Sequence, residues 1–456
     1  MSVAVMLFTS DLRVHDQPAL CAAVRGADEV VPLFVVDRGV QRAGFAVPNR
    51  RAFLADCLAS LDAGLRERGG RLVIRIGDVT EQVCRVVTES GARAVHIAAG
   101  VSAYAKRRED LLRTALTAVR CVLHVHEGVT TAVPPGQLTP ADSNHYAAFE
   151  PYLGSWTRAG LREVVAPPRA VRVPELAGHP LPRRTAVTGV SPAVARGGEH
   201  EGRQRLTAWL DRGGPGIEAY GERHDDLSGD TTSRLSPHLH FGTLSAAELV
   251  GRARSVDGPG ADAFVRRLAR RDFHHQVLAA RPDAAHADYR PRGDRWRRDE
   301  KDVTAWKEGR TGCPVVDAGM RQLLHEGWMH HRSRLLAADY LTKALYVDWR
   351  IGARHFLDLL VDGDIADNQL NWQGAAGTGT DPRTDRVLDP LASAQRFDPH
   401  GDHVRRWVPE LAELAGPEVH RPWALDDLRR ARLDYPEPLV DPEEGRARCE
   451  QARGQV

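Results

Sequence analysis

The stretch VAVMLFTSDLRVHDQPALCAAVRGADEVVPLFVVD, residues 3–37, determines how the chain begins to fold. Its two ends, residues 3–8 and 30–37, are apolar runs typical of buried strands, and PALCAAV between them has the spacing of a helix. A helical connection between two buried strands places those strands parallel in one sheet. Residues 3–37 therefore predict the first strand–helix–strand unit of a parallel sheet.

The same alternation continues to residue 126. Further apolar runs occur at LVIRI (72–76), AVHIAA (94–99) and CVLHVH (121–126), with helical patterns between them. Five strands separated by four helices predict a doubly wound parallel sheet with helices on both faces, which binds ligands at the carboxyl ends of its strands. No GxGxxG motif follows the first strand, which argues against a dinucleotide on this domain.

The rest of the chain divides into a connector and a helical part. The connector is rich in Pro, Gly and Arg and shows one short helical pattern, FEPYLGSWTR, whereas later segments such as PVVDAGMRQLLHEG repeat apolar residues every three or four positions. We predict an α/β domain over residues 1–130, a long linker over 131–200, an all-helical domain over 201–440 and a short polar C-terminal tail over 441–456.

Composition narrows the class of protein. The six cysteines are scattered without a CxxC motif, which indicates a reducing cytoplasm and argues against a zinc or iron–sulfur site. No segment has the length of a membrane span, and charge appears too early at the N-terminus for a secretory signal. We expect a cytoplasmic monomer that binds no metal and no membrane.

One basic region stands out although the formal net charge is only +1. Residues 266–298 contain ten Arg and four Asp, with Phe273, Tyr289 and Trp296 interleaved. Basic side chains with aromatic rings suit a nucleic-acid backbone and unstacked bases. A solvated Arg-rich face explains the same composition equally well, so both interpretations stay open.

The segment TTSRLSPHLHFG, residues 231–242, places hydroxyl groups at a predicted helix start. Thr232, Ser233 and Ser236 flank Arg234 there. Hydroxyls and backbone N–H groups at a helix start suit a phosphate group. The structural alternative is that these side chains only cap the helix.

The segment DGDIADN, residues 362–368, places carboxylates on a turn that enters a helix. Asp362 and Asp364 lie on the turn, and Asn368 follows one helical turn later. Such carboxylates accept hydrogen bonds from ribose hydroxyls or ring nitrogens, or they pair with an arginine, for which Arg334 is the candidate. Capping and surface ion pairing are the alternatives.

Several long blocks occur in an order that is similar to one family. The blocks are LFTSDLRVHDQPAL, TTSRLSPHLHFG, WKEGRTGCPVVDAGMRQL, GWMHHRSRL, DGDIADNQLNWQ and GTGTDPRTDRVLDPLASAQRFD. In this order the chain resembles DNA photolyases and cryptochromes from residue 3 to about residue 440, and among them most the bacterial class I cyclobutane pyrimidine dimer photolyases.

The resemblance implies a U-shaped FAD in the helical domain. Asn368 matches the residue that faces the flavin N5, where photolyases carry Asn and plant cryptochromes carry Asp. A neutral amide at this place fits a flavin that is kept reduced and anionic. The cofactor-binding residues implied in this way are Tyr220, Thr232, Ser233, Arg234, Leu235, Ser236, Arg271, Arg334, Asp362, Gly363, Asp364 and Asn368.

The resemblance also implies an electron relay of three tryptophans. Trp372, in NWQGAAGTGTD, matches the member next to the flavin, and Trp349 and Trp296 match the two outer members. An indole can donate an electron to a photoexcited oxidised flavin and pass the hole outward. Taken singly, each of these tryptophans is more simply explained as a core aromatic.

The lesion side of the implied pocket departs from the family. Gly374 stands where a cyclobutane-dimer photolyase has a stacking tryptophan, Arg270 where a second aromatic wall is expected, Arg267 where a glutamate is expected, and Leu335 replaces a methionine. His331 instead matches a histidine of photolyases for the (6-4) lesion, without the second histidine of that pair. The substrate or DNA contacts implied are Arg267, Arg270, His331, Arg332 and Gly374.

These features predict an FAD-dependent, blue-light-driven DNA photolyase that splits UV-induced pyrimidine dimers by electron transfer from excited reduced flavin, through an altered pocket. One alternative is a cryptochrome-like photoreceptor without repair activity, and another is a flavoenzyme for a small anion held by Arg267 and Arg270. A second, antenna chromophore (deazaflavin or folate) is left open. The chain has AAGVSAYAKRRED where deazaflavin-binding photolyases have an Asn-Arg-Asp-type run, and only Arg50 remains as a candidate contact.

Overall fold

The first part of the chain forms the predicted doubly wound sheet. The computed structural model describes residues 1–211, 216–229, 231–381 and 387–454. Five parallel strands lie in the order β3-β2-β1-β4-β5. Their bounds are β1 Val3–Phe8, β2 Glu29–Asp37, β3 Val73–Gly77, β4 Ala94–Ala98 and β5 Val122–His126. The chain first winds from β1 towards β3 and then returns to the other side of β1, which confirms the predicted fold class.

The central strand, β1, explains why the strand sequences are continuous apolar runs. In β1, Val5 is paired with Val31 on one side and Val95 on the other, and all three are fully buried. A strand in the middle of a parallel sheet is covered on both faces, so every position favours an apolar residue. This pattern makes the register strongly specified.

Helices fill both halves of the chain and agree with the predicted three-and-four spacing. Within the described ranges, none of them combines the length and the apolar character needed to cross a membrane. The bounds are α1 Pro18–Gly26, α2 Arg38–Arg42, α3 Pro48–Arg66, α4 Val79–Ser90, α5 Ala103–Ala118, α6 Phe149–Arg158, α7 Glu199–Leu210, α8 Tyr220–Arg223, α9 Ser236–His240, α10 Ala246–Arg254, α11 Pro259–Ala280, α12 Glu300–Glu308, α13 Pro314–Glu326, α14 His331–Asp339, α15 Trp349–Leu359, α16 Ile365–Ala376, α17 Pro390–Phe397, α18 Asp402–Trp407, α19 Asp427–Arg430 and α20 Pro442–Gly454. A π-helical turn, Tyr340–Ala344, continues α14, and short 3-10 turns lie at Arg184–Ala186, Pro282–Ala285, Pro409–Leu411, Gly416–His420 and Pro422–Ala424.

The chain forms two compact units, which coincide only in part with the predicted domain boundaries. Unit 1 comprises Met1–Val190, Ala195–Gly221 and Ser233–Pro282, and unit 2 comprises Ser191–Val194, Glu222–Thr232 and Asp283–Val456. The predicted linker contains α6, as expected, but much of it packs on the sheet of unit 1. The Val30 N–H donates to the Arg172 carbonyl at 2.8 Å, and His179 forms an antiparallel bridge with Ile74.

Within the predicted polar tail at residues 441–456, residues 442–454 form the helix α20. Cys449 on this helix is buried, and Gly445 packs against Ala344. Arg448 donates to the Ala344 carbonyl at 3.1 Å. The sequence pattern missed this helix because charged residues dominate it, and a few small contacts rather than an apolar stripe attach it.

Candidate functional site

The predicted site residues fall in both units, and the densest set lies on α16 in unit 2. Asp364 is the N-cap of this helix, and its Oδ1 accepts a hydrogen bond from the Asp367 N–H at 3.0 Å. Asn368 and Trp372 follow at spacings of four residues, so they lie on one side of the helix, and both are buried. The predicted turn into a helix is confirmed here.

The expected partner of Asp362 is present. Arg334 Nη2 donates to both carboxylate oxygens of Asp362, at 3.2 and 2.9 Å, and its Nε donates to the Met329 carbonyl at 2.9 Å. Asp362 is buried. A buried carboxylate requires a compensating charge, and the pair with Arg334 supplies it and fixes the direction of the Asp362 carboxylate.

The side-chain amide of Asn368 has only one possible orientation. Its Nδ2 donates to the Ala353 carbonyl at 3.0 Å and to Gln369 Oε1 at 2.8 Å, while Gln369 Nε2 donates to the Ala285 carbonyl at 2.5 Å. Carbonyl oxygens only accept hydrogen bonds, so each of them fixes the amide nitrogen that faces it. Asn368 therefore presents its Oδ1, an acceptor, on the opposite side of the amide.

Trp372 is held in place by a close approach of α16 to α15. Gly352 lies under the edge of the Trp372 ring, and a Cβ at that position would overlap the indole. Phe356, four residues later on α15, packs on the same ring at 4.9 Å between centroids and 80° between planes. Trp349 begins α15, three residues before Gly352, and so lies on the side of the helix that faces Trp372.

The structure adds a tryptophan that the sequence did not indicate. The Trp306 ring lies 5.9 Å from the Trp372 ring, nearly perpendicular at 75°, and it is fully buried. In the described part of the chain, no direct ring contact joins Trp349 to Trp372 or to Trp296. Trp306 was overlooked because it opens the quoted block WKEGRTGCPVVDAGMRQL, where it looks like an ordinary core residue.

The outer predicted relay members differ in their surroundings. Trp349 is fully buried, and its Nε1 donates to Asp288 Oδ1 at 2.7 Å, with the Arg350 guanidinium 4.8 Å above its ring. The carboxylate favours a positive hole on the indole, and the guanidinium opposes it. Trp296 is half-buried. This is the kind of exposure that the outer end of a relay needs.

The predicted lesion-side residues of unit 2 are placed as follows. A Cβ built on Gly374 meets no atom of the described residues within 4 Å, so with respect to them α16 is open at this position. His331 begins α14, and His330 caps it by accepting from the Arg332 N–H at 3.1 Å. Arg332 forms a bidentate pair with Asp225 at 2.6 and 2.5 Å, so its guanidinium is already committed within the unit.

The segment that carries the hydroxyls spans both units. In unit 1, Ser236 begins α9, and Ser233 Oγ accepts from the Leu235 N–H at 3.4 Å. Arg234 has a φ of +49°, the left-handed conformation that a residue with a Cβ rarely adopts. Such backbone strain is found often at binding sites, where the turn must expose particular groups. Thr232 lies in unit 2 and is half-buried.

Two further predicted contacts lie in unit 1. Tyr220 packs between Trp209 and Phe264, with ring centroids at 5.6 and 5.5 Å. Arg271 donates to the carbonyls of Thr130 at 2.9 Å and Leu239 at 3.4 Å. Both side chains are therefore rigidly placed, and their assignment to the cofactor stays a prediction.

The arginines predicted on the lesion side of unit 1 lie along α11. The Arg270 guanidinium stacks on Phe149 at 3.9 Å from the ring centroid, and Arg266 approaches the same ring at 5.0 Å while pairing with Glu150. A guanidinium held flat on an aromatic ring presents its other face as a planar surface. Arg267 is half-buried on the same helix.

Polar residues also gather at the carboxyl ends of the strands in unit 1. Asp37 at the end of β2 accepts from the Tyr104 hydroxyl, and Asp11 beyond β1 is fully buried, which raises the pKa of its carboxyl. Arg50 stacks on Phe45 at 4.1 Å and donates to the Phe45 carbonyl at 3.0 and 2.7 Å. Arg50 as an antenna contact stays a prediction.

Comparison with known proteins shows which proteins this chain is similar to. Residues 4–172 match the family model described as DNA photolyase, and residues 264–455 match the one described as the FAD binding domain of DNA photolyase. A deoxyribodipyrimidine photo-lyase from Streptomyces griseus is 62% identical over 456 residues, which is 100% of both chains. A class III photolyase structure from Agrobacterium tumefaciens has a TM-score of 0.92 at 29% identity and covers 100% of this chain and 98% of its own. A cryptochrome structure from Synechocystis has a TM-score of 0.90 at 26% identity, with 100% and 99% covered.

A doubly wound domain combined with a helical FAD-binding domain defines a flavoprotein. The chain belongs to the DNA photolyase and cryptochrome family. FAD is its cofactor. Three side chains of unit 2 fit the chemistry of FAD. Asn368 presents an amide oxygen, Asp362 presents a charge-compensated carboxylate, and Trp372 presents an oxidisable ring on the same helix or its entry turn.

Proposed function

We propose that the chain is an FAD-dependent, blue-light-driven lyase that splits UV-induced pyrimidine dimers in DNA. The observation that carries this function is the 62% identity, over the full length of both chains, to an enzyme named deoxyribodipyrimidine photo-lyase. The geometry of α16 supports it, because a neutral amide at Asn368 with its oxygen presented as an acceptor suits a protonated flavin N5. We also propose a cytoplasmic monomer whose partner is UV-damaged DNA.

When bound, FAD supplies the light-excited electron donor, and the residues of the chain position it and control its charge. Asn368 would accept a hydrogen bond from the flavin edge without adding negative charge beside a reduced, anionic ring. Asp362, fixed by Arg334, would hold the ribose or the pyrimidine edge of the flavin. Trp372 would donate one electron at a time to a photoexcited oxidised flavin, and two such electrons with one proton are needed to restore the reduced form that repairs DNA.

The departures on the lesion side define how the substrate would be held. Among the described residues, Gly374 leaves space where the family has an indole, and the Arg270 guanidinium lies over the Phe149 ring. A guanidinium plane can stack on an unstacked base or hold a phosphate. We propose that such planar cationic contacts replace part of the missing aromatic stacking in lesion binding.

The test is repair of a defined cyclobutane dimer by protein whose flavin has been fully reduced chemically. Recovery of undamaged pyrimidines under blue light but not in the dark is the expected result. DNA carrying a (6-4) lesion and undamaged DNA serve as the substrate controls. Reduced, FAD-loaded protein that splits no dimer in single-stranded or duplex DNA would refute the proposal.

Photoreduction gives an independent measurement on the same protein. Trp372→Phe should slow reduction of oxidised flavin by blue light, whereas Trp407→Phe should leave it unchanged. Trp407 is a matched control because its ring contacts His325 and none of the predicted relay tryptophans in the described residues. Rapid photoreduction without any repair would instead favour the cryptochrome-like photoreceptor.

A further inference from the structure

In unit 2, a further redox-active ring lies next to Trp296, the outer predicted member of the relay. Tyr346 lies against it, with 5.0 Å between ring centroids and 40° between ring planes. The backbone fixes this contact, because the Arg297 N–H donates to the Tyr346 carbonyl at 2.8 Å. Arg297 Nη1 also donates to the Leu345 carbonyl at 3.0 Å, and Arg297 forms a parallel bridge with Val347. The two rings are therefore held together by two chain segments that are distant in sequence.

Tyr346 occupies this place in a strained backbone conformation. Its φ is +54°, in the left-handed region that a bulky residue rarely adopts. The ring is buried in spite of its polar hydroxyl. A glycine or asparagine would satisfy this turn more easily, so the phenol itself has a reason to be there.

The phenol has a proton acceptor in direct contact. The Tyr346 hydroxyl donates to Asp294 Oδ1 at 2.6 Å, and the Asp294 side chain is only 3% exposed. Arg453 of α20 approaches the same oxygen, with Nε at 3.5 Å. Asp294 Oδ2 is buried and makes no hydrogen bond with any residue in the described ranges. The phenolic hydrogen of Tyr346 therefore already points at Oδ1, and Oδ2 makes no competing hydrogen bond in the described ranges.

Burial, and then the hydrogen bond to Asp294, raise the pKa of Tyr346 above its ordinary value. The phenol is therefore protonated at neutral pH. Removing an electron from a protonated phenol makes it strongly acidic, so a proton must leave with the electron. The short contact with a carboxylate provides the path for that proton.

We propose that Tyr346 is the terminal electron donor of the tryptophan relay and that Asp294 receives its proton. The inference rests on the proposed photoreduction through Trp296. In this step the Trp296 radical cation gains one electron and becomes neutral tryptophan, and Tyr346 loses that electron. The phenolic O–H bond breaks, an O–H bond forms on Asp294, and the products are a neutral tyrosyl radical and a protonated carboxyl. Charge recombination then requires the proton to return, which prolongs the life of the reduced flavin.

A purely structural role is the competing explanation, since the Tyr346–Asp294–Arg453 contacts also attach α20. Flash photolysis of the full-length, FAD-loaded protein separates the two roles. We expect a tryptophan radical cation to be replaced by the narrow absorption of a neutral tyrosyl radical, more slowly in D2O than in H2O. Tyr346→Phe should abolish the tyrosyl signal and shorten the life of the charge-separated state. Asp294→Asn should abolish or strongly slow the tyrosyl step, because an amide cannot take the proton.

Tyr435→Phe is the matched control. Tyr435 is a second tyrosine of unit 2 whose hydroxyl donates to a buried carboxylate, that of Asp317, and among the described residues it makes no ring contact with a tryptophan. This variant should leave the tyrosyl signal unchanged. Phenol titration of the protein freed of FAD adds a readout without the cofactor. One slowly accessible phenol should ionise at lower pH in Asp294→Asn than in the parent protein, and an unchanged titration would overturn the role of Asp294.

The outcomes distinguish this inference from the function on which it rests. Tryptophan radicals that decay without a tyrosyl signal, or a signal that survives Tyr346→Phe, would overturn the role of Tyr346 and leave the photolyase proposal intact. Absence of any tryptophan radical on illumination would overturn the relay itself. It would leave dimer splitting by chemically reduced protein as a separate question.

Discussion

Restoring an indole at position 374 is the sharpest test of the lesion pocket. Gly374 lies within α16, and a Cβ there meets no atom within 4 Å in the part of the chain that the structure describes. The Gly374→Trp side chain therefore starts in open space and leaves the packed face around Trp372 undisturbed. Since the family normally has a stacking tryptophan at this position, we expect the new indole to stack on an extruded pyrimidine dimer.

The expected gain follows from stacking energies. An aromatic ring that stacks on an unpaired base contributes about 1–3 kcal/mol. At about 1.4 kcal/mol for each factor of ten, this corresponds to roughly 5- to 150-fold tighter binding of dimer-containing DNA. Undamaged duplex offers no extruded base, so its affinity should change little.

The assay is equilibrium binding in the dark of FAD-loaded protein to duplexes with and without one dimer, at one salt concentration. Gly374→Ala is the matched control, because it removes the flexible glycine, which stabilises a helix by about 1 kcal/mol, but it adds no ring. Position 374 does not face the lesion if Gly374→Trp binds dimer-containing DNA no more tightly than Gly374→Ala does. The same conclusion follows if its affinity for undamaged DNA rises by the same factor.

Three further predictions concern the flavin side and the α/β domain. Gly352→Ala should lower the free energy of unfolding by about 1–3 kcal/mol, because the added methyl group overpacks against Trp372; chemical unfolding measures this loss. The same variant should slow photoreduction, which flavin absorbance follows. Asn368→Asp removes the hydrogen bond that the side chain donates to the Ala353 carbonyl and adds a negative charge. A reductive titration of the bound flavin should therefore show that the reduced form is destabilised. An unchanged titration would contradict the assigned orientation of Asn368. Burial alone would raise the pKa of Asp16, but hydrogen bonds, foremost from Arg162, hold that pKa below its ordinary value. This stabilisation is complete above the unfolded pKa of about 3.9 and is lost as pH falls through the lower folded pKa. Asp16→Asn should therefore lower the free energy of unfolding by about 3–5 kcal/mol near neutral pH. It should also reduce the further loss of stability that the parent protein shows as the pH falls. Denaturant unfolding at a series of pH values measures both effects.

The sequence predicts most of the fold because the decisive signals are local. Each strand of the sheet is an apolar run bounded by turn residues, and burial on both faces leaves no other assignment for residues 3–8 or 30–37. The entry to α16 was predictable for the same reason, since an Asp N-cap is a local hydrogen bond between Asp364 and Asp367. The ion pair of Arg334 with Asp362 was found by chemical complementarity within a short span of chain.

Long-range pairings could not be predicted in this way. Trp306 reaches Trp372 from a different helix, and Tyr346 reaches Trp296 through a bridge between distant segments. Arg332 looked available for DNA, yet it is paired with Asp225 more than a hundred residues earlier. No local pattern encodes these contacts, because each depends on how the helices pack.

Gly352 and Gly374 show why the flavin side was easier to predict than the lesion side. At Gly352 an added methyl group would collide with the Trp372 indole, so packing inside the unit restricts this position to glycine. At Gly374 the same methyl group meets none of the described residues within 4 Å, so these residues leave room for many side chains there. The fold therefore dictates the residues that surround Trp372 and leaves position 374 to be determined by the substrate. A family resemblance transfers well to the first kind of position and poorly to the second.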